Sequence, residues 1–172
     1  MFDITQFFPS LNHRLSHILD KAGIGSRVVN FFSNYLVNRK TTYFWNNFSL
    51  YSFDVNVGVG QGSALSPILS ALYLSPFFHI FEKRLKNLDL KISTLSFVDD
   101  SLIITQSNLF QLSNTRLFSS YNITLILMSK FDLQVEHSKT EVFHFSRSHS
   151  AFNTPLLDLS PIGGPLLVPK VT

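Results

Sequence analysis

Three acidic positions and one glycine-rich turn carry the chemistry open to this chain. Phe97-Val98-Asp99-Asp100 lies between two apolar, β-prone runs, residues 92–96 and 102–105. That pattern predicts a tight β-hairpin with an Asp pair at its tip. Met1-Phe2-Asp3-Ile4 is a second short apolar segment with a single acid, and Gly58-Val59-Gly60-Gln61-Gly62-Ser63 stands between the two acidic sites. An Asp-Asp step by itself is ordinary in a turn, where the short carboxylate bonds local backbone groups. Three carboxylates brought together repel one another, and divalent cations are the usual remedy. Two Mg²⁺ ions about 3.5–4 Å apart clamp the attacking and leaving oxygens of a phosphoryl transfer.

The rest of the chain must position these groups. With 172 residues, 45% of them hydrophobic, it can bury one sizeable core. Its 18 Phe exclude disorder. The absence of Cys excludes disulfides and thiolate metal sites and fits an intracellular setting. The formal net charge is +3, and metal neutralisation of three carboxylates would raise it further, compatible with a polyanionic partner. No signal peptide is read at the start. Residues 63–81 hold no charge and approach bilayer-spanning length. Ser63, Ser66, Pro67, Ser70, Ser75, Pro76 and His79 would burden a lipid-facing helix, so a buried helix of a soluble chain, with no membrane partner, is expected.

Along the chain, a short strand runs into Asp3 and breaks before Pro9. A helix capped by Ser10 follows, with Leu11, Leu15, Ile18, Leu19 and Ala22 as its apolar stripe and Gly23 as its stop. His13 and His17 stand four apart beside Arg14 and Lys21 but lack a third ligand, so they read as a solvated basic face rather than a zinc site. A second helix begins at Ser26 and turns Val29, Phe32 and Leu36 inward. Residues 39–47 and 51–57 read as a hairpin with one buried face. Its aromatics near Arg39 and Lys40 are read as core, with base stacking as the alternative. The turn at 58–63 lacks the dinucleotide fingerprint and a P-loop lysine, leaving a close-approach turn that presents Gln61. Ser66 as cap and Pro67 as first residue start a long helix toward Lys86, which Pro76 is expected to kink or break. A helix from about 109 to 131 follows the acidic hairpin, then a turn at 136–140 and a strand at 141–145. After Ser150 the Pro/Gly-punctuated tail reads as loop or linker.

In this order the parts resemble the reverse transcriptases. Asp3 with Phe8 five residues later resembles motif A, and Gly60-Gln61-Gly62-Ser63-Ala64-Leu65-Ser66-Pro67 motif B. Phe97-Val98-Asp99-Asp100 resembles motif C, and Glu136-His137-Ser138-Lys139-Thr140-Glu141 the Lys-Thr-Glu segment of motif D. The wording at 7–13 is similar to the non-LTR (LINE-type) retrotransposon enzymes of fungi. The resemblance runs from Met1 to about Pro169. It implies an α+β fold, a polymerase palm of antiparallel sheet with helices on one face, over residues 1–147. Residues 148–172 would be an irregular tail leading toward a primer-grip segment. It also implies an RNA-directed DNA polymerase that uses two Mg²⁺ (or Mn²⁺) ions, an RNA template, a DNA primer and dNTPs, with a nuclear setting.

The resemblance assigns roles residue by residue. Asp3 and Asp99 would be the principal metal ligands, assisted by the Ile4 carbonyl. Asp100, which a strand turns away from Asp99, would be auxiliary. Phe8 would press on the place of a ribose 2′-OH, Gln61 and Gly62 would contact the incoming dNTP, and Lys139 would protonate the pyrophosphate leaving group. Three departures accompany these matches. No fingers region precedes motif A, no primer grip or thumb follows, and Asp132-Leu133 stands where Gly-Leu is usual. A palm piece inactive by itself is therefore expected. The alternatives are a nucleic-acid-binding palm remnant without chemistry and an RNA-templated RNA polymerase, against which the bulk of Phe8 argues.

Overall fold

Apolar residues recurring every three or four positions, interrupted by short β-branched runs, give an α+β chain. A computed structural model describes residues 1–11, 14–60, 62–88, 91–145 and 154–171. The elements begin with β1 (Asp3–Ile4), α1 (Phe7–Ser10), α2 (Arg14–Lys21), α3 (Ser26–Leu36), β2 (Arg39–Thr41), β3 (Phe44–Trp45), β4 (Phe48–Ser49) and β5 (Phe53–Val55). They continue with α4 (Ser66–Asn87), β6 (Ile92–Phe97), β7 (Asp100–Thr105), α5 (Phe110–Lys130), β8 (Val135–Glu136), β9 (Phe143–His144), β10 (Leu157–Asp158), β11 (Leu166–Leu167) and β12 (Lys170–Val171). Two compact units result: Met1–Thr5 with Phe77–Thr172, and Gln6–Pro76.

The first unit is built on the acidic hairpin. β6 and β7 pair antiparallel from Ile92↔Thr105 to Phe97↔Asp100. A bridge between Phe2 and Ser101 ties the opening segment to β7, and β1 pairs antiparallel with β8 through Asp3↔Glu136 and Ile4↔Val135. In this unit Phe77, Phe81 and Leu85 of α4 and Tyr121, Leu127 and Met128 of α5 are buried, as are Phe2, Ile4 and Val135. The Phe77 ring stacks 5.7 Å from Phe81 and meets Phe131 edge-on at 6.1 Å. Each such side chain contributes about 1.5–3 kcal/mol by leaving water. Helix α5 ends on a left-handed residue, Asp132 (φ 56°), and the Leu133 N–H returns to the Met128 carbonyl at 3.0 Å. That cap geometry favours glycine, where this chain has Asp132.

Two expectations change in this unit. The C-terminal segment, read as loop or linker, forms the antiparallel pair β10–β11, and β12 lies parallel to β9. Leu157, Leu159 and Leu167 are buried, but two-residue strands between prolines carry no readable period. Of the kink or break expected at Pro76, the break does not occur, and helix α4 continues through it. A proline removes one rung of the ladder while the flanking rungs remain. No helix among the described residues is long and apolar enough to cross a membrane.

In the second unit, Leu11, Leu15 and Leu19 are buried together with Phe32 and Leu36, as the periodicity predicts, while Ile18 and Val29 of the same stripes are half-buried and Ala22 is exposed. His17 is exposed, and His13 lies outside the described residues. The hairpin between β2 and β5 forms, but its aromatics are not core: Phe44, Trp45, Phe48, Tyr51 and Phe53 are all exposed. Period-two alternation shows that the two faces of a strand differ, not that either of them meets other elements.

Candidate active site

The site begins with a two-residue turn. Val98 and Asp99 connect β6 to β7, and Val98 takes φ 59°, a left-handed conformation that costs an L residue roughly 1–2 kcal/mol. Asp99 is half-buried in the turn, and Asp100 opens β7, exposed and paired with Phe97. On the neighbouring segment Phe2 exchanges both backbone hydrogen bonds with Ser101, each 2.9 Å. Counting outward from that bridge in antiparallel register sets Asp3 opposite Asp100. The same alternation turns the N–H and C=O of Ile4 to the edge used by Phe2, the edge facing the Val98–Asp99 turn. Asp3 keeps only 14% of its side chain exposed. Its Oδ2 accepts from the Lys139 ammonium at 2.5 Å, while its Oδ1 is buried with no hydrogen-bond partner.

Lys139 reaches Asp3 from a 3₁₀ turn, His137–Lys139, that follows β8. The hydrogen bond to Asp3, and then the charge of that carboxylate, hold the Lys139 ammonium above the usual lysine range. Glu136 and Asp99 add to the effect, and desolvation opposes it. The turn is fixed from below by Tyr121 of α5. Its hydroxyl lies 2.8 Å from His137 Nδ1 and 3.3 Å from Thr140 Oγ1, and its ring stands edge-on to Phe2 at 6.3 Å. Burial pushes the Tyr121 phenol up, with the Thr140 hydrogen bond opposing. Sequence reasoning missed Tyr121 and gave His137 and Thr140 no role beyond their place in the Lys-Thr-Glu segment. The only signal for Tyr121 is a polar-tipped ring within an apolar stripe, which marks burial and names no partner.

The residues expected to meet the dNTP fall in the second unit. The Phe8 carbonyl accepts the Val59 N–H at 2.9 Å, and the Leu11 carbonyl accepts the Gly58 N–H at 2.7 Å. Gly58 takes φ 86°, and a Cβ there would lie 2.7 Å from the Pro9 carbonyl oxygen, so the close approach expected of this turn occurs at Gly58 and requires glycine. Arg39 donates to the Gly58 and Val57 carbonyls at 2.5 and 3.3 Å and to the Leu36 carbonyl at 3.2 Å. The Ser66 hydroxyl donates to the Gly60 carbonyl at 2.6 Å. Gly62 is exposed at φ 86° with open space around it, and Gln61 lies outside the described residues. Phe8 and the glycine turn are thus one backbone-linked group, while Asp3, Asp99, Asp100 and Lys139 form another on the strands of the first unit.

Among the described residues no three His, Asp or Glu side chains lie close enough to hold an ion. The donors nonetheless suit a hard divalent cation, since carboxylate and carbonyl oxygens are its usual ligands. The partnerless Oδ1 of Asp3 fits such a ligand role, and the Lys139 ammonium already balances the other oxygen. A mostly apolar cavity of about 650 Å³ also exists in this unit, lined by Phe2, Ile103, Phe110, Tyr121, Phe143 and His144 among others, but by none of the candidate carboxylates.

The family model described as Reverse transcriptase (RNA-dependent DNA polymerase) matches residues 1–157. No curated protein matches the chain. The matched span holds Asp3, the glycine turn, the Asp99-Asp100 hairpin and Lys139, and on that match the chain belongs to the reverse transcriptase family.

Proposed function

We propose that the strands carrying Asp3, Asp99 and Asp100 are the palm of an RNA-directed DNA polymerase of the non-LTR (LINE-type) retrotransposon kind. It would extend a DNA primer 3′-OH with dNTPs on an RNA template. The observation that supports this reading is the Phe2–Ser101 bridge, next to which Asp3 is half-buried with its Oδ1 lacking a partner. Asp3 and Asp99, with the Ile4 carbonyl and Asp100 assisting, would hold Mg²⁺ or Mn²⁺. The metal supplies charge stabilisation of the phosphoryl group and of the attacking and leaving oxygens.

The chain's own groups do the rest. Lys139, with its pKa held up by Asp3, remains protonated at neutral pH and can give a proton to the pyrophosphate leaving group. Phe8, fixed against Val59, offers its ring as the barrier to a ribose 2′-OH, and Gln61 and Gly62 would line the sugar and base of the incoming dNTP. The test is a Mn²⁺ titration followed by paramagnetic broadening. Resonances of Asp3, Asp99 and Asp100 should broaden together, and Asp3→Asn and Asp99→Asn should each weaken Mn²⁺ binding. Mn²⁺ affinity unchanged by Asp3→Asn would remove the shared site.

A further inference from the structure

The aromatic hairpin of the second unit changes register partway along. At its base β2 and β5 pair as Arg39↔Val55, Lys40↔Asp54 and Thr41↔Phe53, and the Thr42 and Ser52 hydroxyls meet at 2.5 Å. At its tip β3 and β4 pair as Phe44↔Ser49 and Trp45↔Phe48, and the Leu50 N–H bonds the Tyr43 carbonyl. The two registers differ by one residue, and the residue left over is Tyr51. A bulge of this kind resets the alternation of side chains between the two faces. Phe53 therefore shares a face with Phe48 and Leu50 on its own side of the hairpin and with Tyr43 and Trp45 on the other. The Tyr43 and Phe53 rings accordingly lie 5.5 Å apart. The opposite face holds Thr42, Phe44, Ser49 and Ser52.

The apolar face is bare. Phe48, Trp45, Leu50, Tyr43 and Phe53 are 79%, 77%, 64%, 59% and 46% exposed. Side chains of this size leave roughly 700 Å² open between them, more than the ~300–600 Å² of the largest patch on an ordinary monomer. That area approaches the ~800 Å² that one partner gives to a stable interface. A two-stranded ribbon is also marginal in water and needs another layer against its apolar side.

Charge decides what that layer is. Residues 41–53 contain no Lys, Arg, Asp or Glu, and at the base Lys40 stands opposite Asp54. A partner selected by charge finds nothing to read on such a face. A twofold contact sets a patch against its own image, so a charged patch repels itself, whereas a neutral apolar one is complementary to itself.

We propose that two copies of this chain associate through residues 41–53, apolar face on apolar face about a twofold axis, with Trp45 and Phe48 at the centre. This goes beyond the catalytic reading: the arm holds none of the carboxylates, and the contact needs neither metal nor nucleic acid.

Trp45 is the only tryptophan in the chain, so its fluorescence reports on the contact directly. Residues 1–172, in EDTA and free of nucleic acid, are followed by sedimentation equilibrium and by Trp45 emission. A monomer–dimer equilibrium with a dissociation constant in the micromolar range or below is expected, with a blue shift of Trp45 that tracks the dimer fraction. Added salt should not weaken the dimer, because no opposite charges meet in it. Phe48→Ser should raise the dissociation constant at least about tenfold. Phe48→Asp, which sets like charges against each other across the axis, should abolish the dimer. Phe44→Ser, at a position 74% exposed on the opposite face, should leave it intact. Both positions are exposed, so the variants should keep the far-ultraviolet circular dichroism of the parent. A monomer at every concentration, with Trp45 emission unshifted, overturns the proposal and gives the face to a different partner. So does a dimer indifferent to Phe48→Asp, equal weakening by Phe44→Ser, or open-ended association beyond two copies. Because EDTA is present throughout, the outcome is independent of whether the carboxylates bind metal.

Discussion

The Lys139 ammonium lies 2.5 Å from the Asp3 carboxylate although 136 positions separate the two residues. One side chain thereby pairs one oxygen of the carboxylate that the opening strand carries, leaving Oδ1 without a partner, and any divalent ion arriving there must share Asp3 with it. Lys139→Met should therefore raise Mn²⁺ affinity a few-fold in a direct binding titration. A lowered affinity would mean that the lysine helps to hold the metal rather than compete with it. The pH dependence of the pair is set by the raised lysine pKa. The ion pair is complete below the ordinary lysine value of 10.5 and is lost as pH rises through the higher folded value.

His144 gives a second pH dependence, of opposite sense. Asn114 spends its amide N–H groups on the Pro155 and Leu156 carbonyls, so its Oδ1 accepts from His144 Nε2, 3.2 Å away. Nδ1 is then a bare lone pair, buried and without a partner. Burial pushes the imidazole below its usual 6.5. The unfolded chain binds the proton more readily, so stability falls as pH drops below 6.5. Urea unfolding at several pH values should show that decline, and His144→Phe, which keeps a ring against Phe110, should flatten it.

Tyr121→Phe removes one hydroxyl from beneath the lysine turn. It should cost about 1–2 kcal/mol, because it withdraws a partner from the His137 imidazole and from the buried Thr140 hydroxyl. Amide exchange at residues 137–140 should quicken by more than the global loss of stability explains. Uniform acceleration across the chain would make Tyr121 a packing residue only.

Asp132→Gly should be more stable than Asp132→Ala by about 1 kcal/mol in chemical denaturation, since both remove the same carboxylate and only glycine takes the left-handed cap without the Cβ penalty. Equal stability of the two variants would mean that the cap conformation carries no strain.

The acidic hairpin, the close-approach glycine turn and the buried stripes of α2 and α3 were readable because each depends on local spacing. The partners of those elements were not. Nothing near Tyr121 points to His137, and nothing in the alternation of residues 51–57 tells a covered face from a bare one. The bulge at Tyr51 is invisible in sequence because it is a mismatch between two registers, each regular by itself. The strands at the C-terminal end were missed for the reason that two residues define no period.

Arg39 belongs both to the base of the aromatic arm and to the wall of the glycine turn, where its guanidinium spans the Gly58, Val57 and Leu36 carbonyls. The planar fork of an arginine holds several acceptors at fixed angles, which a lysine cannot copy. One side chain thus joins the base of the β2–β5 hairpin to the turn whose Val59 N–H meets the Phe8 carbonyl. Arg39→Lys should quicken amide exchange at the hairpin base and at residues 57–59 together, by more than at α2 and α3.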